Sequence, residues 1–66
     1  MRISDLKQRI ELSFGVDWAP SFSSDIALSE IGSLSVNEAL AQGFEAIDIW
    51  RAICKQHPNE TALHKY

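Results

Sequence analysis

A chain of 66 residues with 45% apolar side chains can hold one small hydrophobic core, with no room for a second lobe or an interlobe cofactor cleft. One cysteine and two histidines exclude a disulfide framework and a four-ligand zinc site within the chain, and no apolar run nears the roughly 18–20 residues of a membrane span. The net charge of −3 conceals an asymmetry that argues against broad nucleic-acid binding: seven acids and no base lie between Ile10 and Trp50, while Arg2, Lys7, Arg9, Arg51, Lys55 and Lys65 sit toward the ends.

Helical spacing dominates the chain, and no stretch alternates long enough to read as a strand. The first helix is predicted from Asp5 to Phe14, with Ser4 as its cap and Asp5 suited to the positive end of the dipole. Leu6, Ile10 and Phe14 recur along one stripe, and Gly15 stops the helix. A second helix begins near Trp18 to Pro20, since proline is tolerated in a first turn and nowhere deeper. Its apolar face is Trp18, Phe22 and Ile26, and a break is predicted before Glu30 to Gly32.

The third helix has the clearest start. Ser35 and Glu38 form a Ser-x-x-Glu capping box, in which each side chain satisfies the other's backbone N–H. Leu34 precedes the cap and is placed to staple against Ala39; the helix runs from Val36 to Gln42, and Gly43 closes it. A fourth helix spans about Glu45 to Gln56 with Ile47, Trp50, Ile53 and Cys54 as its apolar face, and Pro58 ends it. Residues 1–57 thus read as one helical domain and 58–66 as a loosely ordered tail. The expected fold is all-α, a single-domain bundle of about four helices, two longer ones at the N-terminal end and a tight helix-turn-helix-like corner formed by helices three and four.

Residue order across nearly the whole chain, to about residue 57, resembles an uncharacterised actinobacterial family, domain of unknown function 3046. The resemblance is carried by Met1-Arg2-x-Ser4, Phe14-Gly15, Ser35-x-x-Glu38-Ala39-Leu40-x-x-Gly43 and, most specifically, Trp50-Arg51-Ala52-Ile53-Cys54. Two places depart from it. The turn before the short helix reads Gly32-Ser33-Leu34-Ser35 where the family has a Gly-Gly-Arg-Thr type, so a central base is missing, and the tail lacks the usual Pro-rich basic ending. The resemblance implies fold and host group rather than chemistry. Relatives encoded near recombinase genes also imply a DNA-repair setting.

Ala39, Gly43 and Ile49 obey the spacing of a helix-turn-helix: a small residue for close helix crossing, a left-handed turn, and an aliphatic core anchor. Any tight αα-corner needs the same parts. The reading helix of such a motif would present Glu45, Asp48 and Arg51, and two carboxylates there repel phosphate, offset only by Arg51 and Lys55.

Trp18 and Trp50 are expected in the core, the alternative being that one stays half-exposed as a partner anchor, with Trp50 beside Arg51 the pair favoured for that role. Cys54 reads as a buried inert thiol. His57, three residues on, would be its base only if a third group oriented it, and none is evident. A Cys54–His57–His64 metal site would draw His64 from the loose tail, and Glu45 and Asp48 sit on an exposed helix face with no predicted cleft for paired catalysis. No catalytic residue, cofactor or metal is therefore assigned. The leading expectation is a small cytoplasmic protein-interaction module that docks a larger partner through Trp50, Arg51 and Lys55. The alternative is a helix-turn-helix-like nucleic-acid-binding module.

Overall fold

In a computed structural model, residues 1–64 are described, and they are mostly helical with no strands among them. Helix α1 spans Ile3–Phe14, α2 Ala19–Asp25, α3 Val36–Ala41, α4 Ala46–Gln56 and α5 Pro58–Thr61, with a single 3-10 turn, Ser29–Ile31, between α2 and α3. The all-α expectation holds. The second helix, however, is only 7 residues long, shorter than α4 with 11, so the two long helices are the first and the fourth.

Helix α1 starts two residues earlier than its composition suggests, and Ser4 is not its cap. Arg2 occupies the cap position, and the Asp5 carboxylate accepts the Arg2 backbone N–H at 3.0 Å. Asp5 thus satisfies a free donor as well as complementing the dipole. Leu6 and Ile10 are buried along the expected stripe, and Phe14 joins them at its edge. Gly15 ends the helix at φ +90°, ψ 147°, a backbone state that a side chain resists, and its N–H returns to the Glu11 carbonyl.

Residues between α2 and α3 supply little regular structure, yet they carry a fully buried side chain, Leu28. Leu28 N–H donates to the Leu34 carbonyl at 2.9 Å, and Ser33 N–H donates to the Leu28 carbonyl, closing a small loop. The loop turns through two consecutive positive-φ residues, Gly32 at 79° and Ser33 at 62°. From the far end of the chain, Gln56 clamps the same segment. Its carboxamide oxygen accepts from Ser29 N–H at 3.0 Å, and its nitrogen donates to the Ala27 carbonyl at 2.9 Å. One side chain thereby plays both roles of a neighbouring strand.

The capping box of α3 forms as predicted: Glu38 N–H donates to Ser35 Oγ at 3.1 Å, and Ser35 N–H donates to Glu38 Oε1 at 2.9 Å. These bonds from Ser35 hold the Glu38 carboxyl below the usual carboxylate range. A depressed folded-state pKa contributes stability above the ordinary carboxylate value and loses it as pH falls through the folded value. Glu38→Gln is therefore expected to be less stable than the wild type near neutral pH, with the gap closing as the solution is acidified. Thermal melts of both proteins from pH 7 down to about pH 3 check this; a gap constant across that range would remove the carboxylate from the account.

Helix α4 buries Ala46, Ile49, Trp50, Ala52 and Ile53, while Ile47 and Cys54 reach only its half-buried margin. Chain segment 58–61 is not loose. His57 N–H closes α4 on the Ile53 carbonyl, then Pro58 opens α5 in the first-turn position where its missing N–H costs nothing. Thr61 is fully buried and donates its hydroxyl to the His57 carbonyl at 2.8 Å, and α5 packs against both α4 and α1. The reading of 58–66 as a tail is thus corrected as far as Thr61. Lys65 and Tyr66 lie outside the described residues.

One core joins all these pieces: Leu6, Ile10, Ala19, Phe22, Leu28, Val36, Ala39, Ala46, Ile49, Trp50, Ala52 and Ile53 form a single contiguous cluster. At its edge Phe14 and Phe22 stack at 4.2 Å with an interplanar angle of 17°, and the His57 ring meets each of them edge-on at 5.4 Å.

Candidate interaction surface

Three residues were expected to form a docking surface, and the structure separates one of them from the other two. Trp50 is 1% exposed, so its indole is a core element and cannot be offered to a partner. The reason is register. Position 50 lies one residue from Ile49 and three from Ile53, on the stripe of α4 that meets α1, and the Arg9 guanidinium covers its ring at 5.9 Å. Trp18, expected in the core, is the half-exposed tryptophan instead, at 46%. It is the cap residue of α2 rather than a residue of its buried stripe, which consists of Ala19 and Phe22.

Arg51 and Lys55 do face outward, one helical turn apart on α4. Together with Glu30, Ile31, Asp48 and Ala52 they line a shallow groove of about 340 Å³ between α4 and the 3-10 turn. Each base has an acidic partner. Arg51 Nη1 lies 4.0 Å from Asp48 Oδ1, and Lys55 Nζ lies 3.4 Å from Glu30 Oε2, with all four side chains largely solvated. Exposed pairs of this kind contribute about 0–1 kcal/mol each, so they hold the groove only lightly. Asp48 in the first turn and Lys55 in the last also complement the dipole of α4. The groove is consequently mixed in sign rather than positive.

The bases Lys7 and Arg9 of α1 do not reinforce it. Lys7 faces a different groove, about 260 Å³, lined also by Ile10, Glu11, Ala19, Pro20, Ser23 and Asn37, while Arg9 is turned onto Trp50. Lys7 and Arg9 of α1 therefore do not join Arg51 and Lys55 in one patch, although α1 and α4 pack together. What the sequence could not supply is the acid opposite Lys55, because Glu30 comes from a 3-10 turn 25 residues away.

The corner of α3 and α4 uses its three signature residues as their spacing predicts. Ala39 is fully buried at the crossing, Gly43 turns the chain at φ +89°, and Ile49 is fully buried in the core. Phe44 N–H reaches back to the Ala39 carbonyl at 3.0 Å to close the turn. On the outer face of α4 stand Glu45, Asp48, Arg51 and Lys55, two acids and two bases.

Cys54 is half-buried with a free thiol, and no hydrogen bond joins it to His57 among the described residues. The imidazole of His57 is instead held against two phenyl edges. Among the described residues no group of three or more His, Cys, Asp and Glu side chains could hold a metal ion, and no helix is long and apolar enough to cross a membrane.

No curated protein and no solved structure matches the chain. A family profile does, over residues 1–59: protein of unknown function (DUF3046). With nearly the whole helical domain inside that match, core and α3–α4 corner included, the chain belongs to the DUF3046 family.

Proposed function

We propose that this domain is a cytoplasmic protein-interaction module without catalytic activity, and that the groove between α4 and the 3-10 turn receives the partner. The observation that carries the reading is the construction of that groove. Arg51 and Lys55 stand at its rim over Ile31 and Ala52, tied to Asp48 and Glu30 only by solvated ion pairs. Such pairs exchange at little cost for carboxylates on a partner, and arginine is over-represented where binding energy concentrates. Trp50 has no direct part in it; the tryptophan supports the helix from beneath. Absence of chemistry is supported by His57, whose ring is committed to Phe14 and Phe22 rather than to the thiol of Cys54.

Nucleic-acid binding by the α3–α4 corner is the second reading, favoured by the roles of Ala39, Gly43 and Ile49. Against it, Glu45 and Asp48 share the outer face of α4 with Arg51 and Lys55, which leaves no net positive charge to meet phosphate. Affinity capture of the tagged protein from a lysate of the source cells, with and without nuclease, separates the two. A nuclease-resistant partner captured by the wild type and lost with Arg51→Glu/Lys55→Glu, while that variant keeps its helical signal and melting temperature, is the expected result. Undiminished capture by the double variant overturns the groove, and partners that vanish with nuclease favour the corner.

A further inference from the structure

We propose a second docking surface, at the α1–α2 corner, which takes a basic amphipathic segment of a partner protein with Trp18 as its anchor. Leu12 in the last turn of α1, Val16 in the connection and Trp18 at the cap of α2 are 57%, 66% and 46% exposed, three large apolar side chains within seven residues. Met1, Ile3, Phe44 and Leu63 are exposed as well, but among the described residues only this corner places three such side chains within seven residues.

Two backbone bonds brace the corner: Ala19 N–H donates to the Gly15 carbonyl at 2.9 Å, and Phe22 N–H donates to the Trp18 carbonyl at 2.9 Å, which ties Trp18 to the first turn of α2. A half-buried tryptophan whose carbonyl is already held by the helix it caps has less freedom to lose on binding than one in an open loop, which suits an interface anchor.

Charge selects the occupant. Glu11 and Asp17 flank these residues in sequence, both exposed, and among the described residues neither has an ion-pair partner. Lys7, one turn before Glu11, shares a groove with it, whereas Arg9 lies over Trp50 and no base follows until Arg51, so Asp17 is the acid with no base near it in sequence. An apolar centre whose rim is net acidic through Asp17 is complementary to a segment that presents aliphatic or aromatic side chains between lysines or arginines. It repels anionic lipid headgroups and phosphate, and a second copy meeting it corner to corner would oppose like charges.

Panning a phage-displayed library of random dodecapeptides on the intact immobilised protein tests this. The expected survivors carry net positive charge around one or two large apolar residues. They should bind Trp18→Ala at least tenfold more weakly, lose affinity to Asp17→Lys and to added salt, and bind Arg51→Glu/Lys55→Glu as they bind the wild type. That last comparison keeps failure of the corner separate from failure of the α4 groove. Circular dichroism confirms that each variant is folded, and Val16→Ser with Asp17→Lys carries the test should Trp18→Ala not fold. No enrichment over bare support, survivors without net positive charge, or binding indifferent to both Trp18 and Asp17 would overturn the proposal. So would a concentration-dependent dimer abolished by Trp18→Ala, which would give the corner to a second copy, or a partition onto phosphatidylglycerol vesicles that depends on Trp18.

Discussion

Trp50→Ala is expected to remove a large share of the domain's stability at 25 °C. Truncating a buried tryptophan costs about 3–5 kcal/mol through lost burial and the cavity left behind. A domain of this size has only roughly 3–10 kcal/mol in total. Trp50 is 1% exposed, lies in the same cluster as Leu6, Ile10 and Ile53, and supports the Arg9 guanidinium, worth a further 0.5–1 kcal/mol or so. The α4 core residues on either side of it, Ile49 and Ile53, are β-branched with restricted rotamers and poorly suited to refill the space. Trp18→Ala is the matched control, since position 18 is half-exposed, and should lose far less. Urea titration of both variants by circular dichroism makes the comparison. Equal midpoints would mean that the two indoles are not partitioned between core and surface as described.

Phe22→Ala is expected to cost nearly as much, on the order of 3–4 kcal/mol, by a different route. Phe22 is the only large fully buried side chain of the short α2, and it stacks on Phe14 while His57 meets both rings edge-on. Its loss removes the contact through which α1, α2 and the α4–α5 junction meet, including an aromatic pair worth about 0.5–1.5 kcal/mol beyond its area. With only seven residues, α2 has no intrinsic helical stability to fall back on. Phe22→Leu should recover more than half of the loss. Amide hydrogen exchange gives the sharper check: in Phe22→Ala, residues 19–25 should lose protection before α4 does. Uniform loss across all helices would mean that the stack has no local role.

How far the sequence revealed this protein depends on the range of the interaction that decides each feature. The cap of α3 was legible because Ser35 and Glu38 decide it between themselves, three residues apart. So was the α3–α4 corner, where Ala39, Gly43 and Ile49 have requirements of size and φ that few residues meet. The start of α1 was misplaced because Ser4 and Arg2 compete for one cap, and the Asp5 carboxylate, reaching the Arg2 amide, settles it in favour of a residue with no capping preference. Trp18 and Trp50 could not be sorted by periodicity, since each continues a stripe by count. Only the packing of α1 on α4 tells them apart. The groove was half legible: Arg51 and Lys55 point outward as helical spacing requires, but Glu30 is delivered by tertiary structure. Segment 58–61 carries no apolar stripe to mark it as packed, because its one core side chain is a threonine, whose hydroxyl is satisfied by the His57 carbonyl.

Gln56 sets an order of events during synthesis. Its carboxamide is the partner that the Ser29 amide and the Ala27 carbonyl find in the finished domain, and it lies 27 and 29 residues further along. At a ribosome adding roughly 5–20 residues per second, the segment around Ala27 waits more than a second for it. Leu6 and Ile10 wait still longer for α4. The first half of this chain is therefore made without its Gln56 clamp and without the α4 side chains that complete its core. Slow translation upstream of residue 56 should do this protein no good, because pausing there prolongs exposure and completes nothing.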